Sequence, residues 1–152
     1  MRRAIELARQ SSIVEKAGGP FGCVIVKDGD IISEGANHVI RDKDPTSHGE
    51  LNAIRAACKK LGTHDLSGCD IYTTGEPCPM CYAACWWARL ETIYYASTVQ
   101  DAKQFGDFDD QLIVESMKEN IENRKVTATQ LLEDEMLALW KEFHNSKDRV
   151  HY

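Results

Sequence analysis

Two short segments, His48-Gly49-Glu50 and Pro77-Cys78-Pro79-Met80-Cys81, constrain this chain more than anything else in it, because their side chains act together only in a fold that joins them. Imidazole and thiolate are donors that zinc prefers, and cysteines three positions apart at a helix start can both reach one ion. Proline suits the first helical positions, where the backbone N–H has no partner, so Pro77-Cys78-Pro79 opens a helix running to about Leu90. Thr46 or Ser47 caps another helix, running to about Leu61, with His48 and Glu50 in its first turn. Both ligand groups then lie at helix N-termini, whose positive partial charge favours the thiolate that zinc requires.

One His and two Cys leave the fourth corner of a tetrahedron for water, whose pKa zinc lowers from about 16 to about 7. Glu50 is placed to move protons to and from that water as general acid and base. H-x-E paired with P-C-x-x-C is the signature of zinc-dependent nucleobase deaminases. The competing reading is a closed structural site completed by Cys85, one helical turn beyond Cys81. Set among Ala83, Ala84, Trp86 and Trp87, however, Cys85 reads as a small buried thiol, and Trp86, Cys23, Cys58 and Cys69 likewise read as core.

The elements around the motifs follow from periodicity and turn chemistry. Ala4, Leu7, Ala8, Ser11 and Val14 predict a first helix from Arg3 to Ala17, stopped by Gly18-Gly19-Pro20. Runs from Phe21 to Lys27 and Ile31 to Gly35 form a hairpin about Asp28-Gly29-Asp30. Strands are expected at Cys69 to Thr74, Thr92 to Ala96 and Lys125 to Gln130, the last from alternating Val126 and Ala128. A helix or turn is expected near Val99 to Gln104 and helices from Asp110 to Lys118 and from Leu131 to Asn145, with a loop at Phe105 to Asp110. The class is α/β: a three-layer α/β/α domain with a central mixed five-stranded sheet.

A length of 152 residues, 43% of them hydrophobic, suits a single domain over residues 1–152. No apolar run is long enough for a membrane span or a signal peptide, so a cytoplasmic location and no membrane partner are expected. With 18 Lys and Arg against 24 Asp and Glu, the net charge of −6 disfavours a polyphosphate partner, so a small molecule is expected and nucleic acid is not.

The motifs, and the order of strands and helices around them, resemble the cytidine deaminase superfamily over nearly the whole chain. Within it, Gly18-Gly19-Pro20-Phe21-Gly22, Asn37, Asp44-Pro45-Thr46, Trp87-Ala88-Arg89 and Phe108-Asp109-Asp110 are most similar to bacterial guanine deaminases. The resemblance implies the cytidine deaminase-like fold, one zinc per subunit on His48, Cys78 and Cys81, and hydrolysis of guanine to xanthine and ammonia. It further implies that Glu50 carries protons, Asp110 faces the substrate amine, Asn37 binds the base, and Phe21 and Trp87 supply flat walls. It implies a homodimer as well, in which a segment of about residues 131–152 exchanges between subunits and Tyr152 closes the partner's pocket. Plainer readings stand beside these: Asn37 as a turn residue, Asp109 and Asp110 as helix caps, Phe21 and Trp87 as core, and residues 146–152 as a frayed end. The same zinc chemistry on cytosine, guanosine, an aminated triazine or a tRNA adenosine is the alternative.

Overall fold

The computed structural model describes all 152 residues, which fall into two compact units, Met1–Ile113 and Val114–Tyr152. In the first, α1 (Arg2–Arg9) buries Ala4 and Ala8, one turn apart, and runs into a π-helical segment, Gln10–Val14. That widened turn replaces the single long helix expected from the sequence. It carries Ser11, whose buried hydroxyl donates to the Asn37 carbonyl at 2.5 Å.

β1 (Gly22–Lys27) and β2 (Asp30–Ala36) pair antiparallel around Asp28 and Gly29, whose φ angles of 52° and 87° make the two-residue turn. A short helix α2 (Val39–Asp42) follows β2. It is followed by α3 (Gly49–Leu61), which ends at Gly62 in the left-handed conformation. Neither Thr46 nor Ser47 caps α3: their hydroxyls donate to Asp44 and Asp42, and His48 itself takes the N-cap position without a side-chain cap.

β3 (Cys69–Gly75) pairs antiparallel with β1 and, across the connection containing α4 (Pro79–Trp87), parallel with β4 (Ile93–Ser97). The mixed sheet therefore has four strands in the order β2-β1-β3-β4. Alternation sends Cys23, Ile25, Cys69 and Ile71 into one core cluster with Ala53 and Ala57 of α3 and with Cys85 and Ala88. The opposite face carries α1 against Gly22, where a Cβ would lie 2.6 Å from the Ala8 nitrogen. Three layers result, as expected. α5 (Val99–Gly106), started by a Thr98/Asp101 capping box, leads through Asp107–Asp110 to α6 (Gln111–Lys118), which runs across the boundary between the units.

The second unit continues with a 3₁₀ turn at Ile121–Asn123 and α7 (Glu133–Asn145). No side chain in it is buried. The fifth strand expected at Lys125 to Gln130 does not form: these residues are irregular, and Val126 is 83% exposed. A strand needs a neighbour for its N–H and C=O groups, and the rest of this unit is helix and turn. Trp86, expected in the core, is 72% exposed, because the inward face of α4 is taken by Cys81 and Cys85. Of the remaining cysteines, Cys23 and Cys69 are buried and Cys58 is partly exposed.

Candidate metal centre and active site

The N-termini of α3 and α4 converge. His48 and Cys78 are the N-cap residues, both with extended backbone, and Cys81 follows in the first turn of α4 behind Pro79. The His48 Nδ1 lies 3.7 Å from Cys78 Sγ and 3.4 Å from Cys81 Sγ, and the three donor atoms all fall within 4.8 Å of one another. Zinc bonds of about 2.3 Å to sulfur and about 2.0 Å to nitrogen, held at tetrahedral angles, need N···S separations of about 3.5 Å. The donors fit that ion.

Protons are shared within this cluster in a way that invites a cation. Contact with Cys81 and His48 brings the Cys78 thiol down to about 4, and contact with Cys78 together with burial raises the Cys81 thiol, which donates to Glu50 Oε2. The Cys78 thiolate raises His48 in turn. A divalent ion displaces the shared proton and takes both sulfurs as thiolates. Cys85 stands apart: burial pushes its thiol up to about 12, and it is not among the three clustered donors.

Glu50, in the first turn of α3, is 4% exposed, and burial raises its carboxyl above the ordinary range. Its Oε2 lies 3.4 Å from Cys81 Sγ, and its Oε1 accepts from the Thr73 hydroxyl at 3.1 Å. Above this group opens a cavity of about 380 Å³, whose lining includes Phe21, Asn37, His48, Glu50, Cys78, Phe108 and Asp110.

Each wall has a local cause. Thr74 accepts from the Gly22 N–H and donates to the Pro20 carbonyl, clamping the backbone on both sides of Phe21. The Phe21 ring meets Phe108 edge to face, with centroids 5.0 Å apart at 76°, and Gly75 leaves room for it, since a Cβ there would come within 3.1 Å. Asn37 Oδ1 accepts from the N–H groups of Gly19 and Val39 at 3.2 and 3.3 Å, which fixes the orientation of its amide. Asp109 turns to Lys103 in an ion pair of 2.7 Å, while Asp110 lines the cavity, its carboxyl raised by burial and then by Cys78.

Residues 1–97 match the model of the cytidine and deoxycytidylate deaminase zinc-binding region, which takes in the whole metal centre. The chain belongs to the cytidine and deoxycytidylate deaminase family. Its cofactor is accordingly zinc, on His48, Cys78 and Cys81. Among characterised members of the family, the guanine deaminase of Bacillus subtilis is 44% identical over 151 residues, covering 97% of this chain and 96% of the relative. The X-ray structure of that guanine deaminase superposes with a TM-score of 0.93 at 42% identity, covering 99% of this chain and 95% of the other. A tRNA-specific adenosine deaminase of Aquifex aeolicus is 42% identical over 93 residues, 61% of this chain and 62% of the relative.

Of the residues singled out from sequence, the fold brings Phe21, Asn37, His48, Glu50, Cys78 and Asp110 to the lining of one cavity, with Cys81 buried against His48 and Glu50. It does not bring Trp87 there: that residue ends α4, is 60% exposed and is absent from the lining. Tyr152 lies in the second unit and is 77% exposed. Sequence reading passed over Phe108 and Thr73 as site residues. The signal for Phe108 was the glycine at 106, where a Cβ would press on its ring at 2.7 Å; the signal for Thr73 was its inward parity with Cys69 and Ile71.

Proposed function

We propose that the chain hydrolyses the exocyclic amine of free guanine, giving xanthine and ammonia. The observation that carries this reading is the zinc triad beside a buried carboxylate at the floor of a cavity of about 380 Å³. Small-molecule sites run from about 300 to 1,000 Å³, so this one suits a bare bicyclic base better than a nucleotide or a folded RNA. The likeness to a guanine deaminase along the full chain supports the same substrate.

Zinc supplies Lewis acidity that makes water a competent nucleophile at neutral pH. Glu50 takes one proton from the attacking water to the ring nitrogen beside C2 and then carries the second, from the hydroxyl now on C2, to the amine, so that C2 gains a carbonyl oxygen and the C2–N bond breaks with ammonia leaving. Raised by burial, its carboxyl is suited to both halves of that exchange. Asn37 donates its NH₂ to an acceptor on the base edge, Asp110 faces the departing amine, and Phe21 and Phe108 enclose the ring. The apolar residues of the second unit have no interior of their own, and the first unit exposes Trp86, Trp87 and Phe105. That favours a homodimer in which residues 131–152 exchange between subunits and the partner's Tyr152 closes the pocket. The six cysteines are free thiols, which suits a reducing compartment and a cytoplasmic enzyme.

Ammonia release from guanine, guanosine, cytosine, adenine and a tRNA anticodon stem tests the assignment. Guanine is expected to give the highest kcat/KM. Faster turnover of cytosine, or of the RNA stem that the Aquifex aeolicus likeness brings into question, would refute it.

A further inference from the structure

Thr73 is a hydroxyl in a place that packing alone would give to valine. It is fully buried on β3, on the same face as Cys69 and Ile71, and paired in register with Cys23 of β1 and Tyr95 of β4. Strands on both sides thus fix its backbone. A buried hydroxyl costs free energy unless it is hydrogen-bonded, and the side-chain bond Thr73 makes is the one to Glu50 Oε1, at 3.1 Å. The other oxygen, Oε2, is the one 3.4 Å from Cys81 Sγ and hence on the metal side of the carboxylate.

We infer that Thr73 is a positioning residue for the deamination proposed above: by holding Oε1 it fixes the plane of the Glu50 carboxylate and leaves Oε2 as the oxygen that exchanges protons with water and substrate. The inference rests on that functional reading and deepens it. A carboxylate turns easily about its last side-chain bond, and the other partners of this one are the backbone at its own helix start and the Cys81 sulfur, which the metal claims. Without the hydroxyl, the two oxygens share the same space and the productive orientation is held for only part of the time. Misplacement on the scale of an ångström is enough to cost about a hundredfold in rate.

The test compares Thr73→Val, which keeps the shape, with Thr73→Ser, which keeps the hydroxyl, in the zinc-loaded full chain. Thr73→Val should hold one zinc per chain and melt near the unsubstituted protein, yet lose about tenfold or more in kcat for guanine with KM changed about twofold or less. Thr73→Ser should recover kcat to within about threefold. A crystal structure of the Val variant gives a reading independent of turnover: a rotated or doubly placed Glu50 carboxylate is expected. An unmoved carboxylate, an unchanged kcat, or equal impairment of the Ser and Val variants would overturn the inference. Should valine prevent folding, Thr73→Ala is read the same way. Failure of the functional reading looks different, since the unsubstituted chain would then release no ammonia from guanine while the crystallographic comparison still decides the role of Thr73.

Discussion

Replacing Gly35 by alanine probes how the sheet sets the metal centre. Gly35 lies where β2 passes beneath the first turns of α3, and a Cβ there would sit 2.5 Å from the Ala53 nitrogen and closer still to the Gly49 carbonyl oxygen. Non-bonded heavy atoms rest at about 3.5 Å, so the helix start must lift from the strand by about 1 Å. Both contacts are backbone atoms of a hydrogen-bonded helix, so no flexible side chain is available to swing aside. That start carries His48 as its N-cap and Glu50 in its first turn, whereas Cys78 and Cys81 belong to α4 and stay behind. The substitution therefore shears the triad instead of moving it as a body. Overpacking of this kind costs about 1–3 kcal/mol, and a 1 Å error in a catalytic group costs about a hundredfold. Gly62→Ala is the control: it ends the same helix at φ 69° with open space around it, so it strains the backbone by about 1–2 kcal/mol without touching the site. Urea melts, zinc content and kcat are measured on both zinc-loaded proteins. Comparable destabilisation is expected, with kcat falling about a hundredfold in Gly35→Ala alone and with weaker zinc retention. Equal kcat in the two variants would refute the idea that this glycine contact sets the site.

Two further outcomes follow from the geometry. Glu50→Gln should keep the fold and one zinc per chain, as judged by melting and metal analysis, while lowering kcat about 10²-fold to 10⁴-fold, because the amide cannot carry the proton. Phe108→Ala removes one member of the edge-to-face pair with Phe21 and should raise KM for guanine about fivefold with little change in kcat, whereas an unchanged KM would place the ring outside the bound complex.

Much of the site was legible in the sequence because its chemistry is carried by residue types with narrow uses. A proline between two cysteines announces a helix start, and a histidine two residues from a glutamate ahead of an amphipathic run places both at the beginning of another. The Asp28-Gly29 turn fixed the hairpin, and the hairpin's register brought Gly35 under α3. What stayed hidden depends on partners remote in sequence. The Thr73 hydroxyl gains meaning only beside Glu50, 23 positions away. The π-helical turn at Gln10–Val14 reflects a bond from Ser11 to Asn37, which no local periodicity reports. Lys125 to Gln130 alternates as a strand should, but alternation supplies no neighbour to pair with, and Trp86 was read as core from its apolar flanks when the inward face of α4 was already filled by Cys81 and Cys85.

X-ray absorption at the zinc edge of the unsubstituted chain, loaded with one zinc per subunit, bears most directly on the metal centre. Two sulfurs at about 2.3 Å, one imidazole nitrogen and one lighter atom that the chain does not supply are predicted. A third sulfur, contributed by Cys85, would close the tetrahedron and contradict a hydrolytic role for the site.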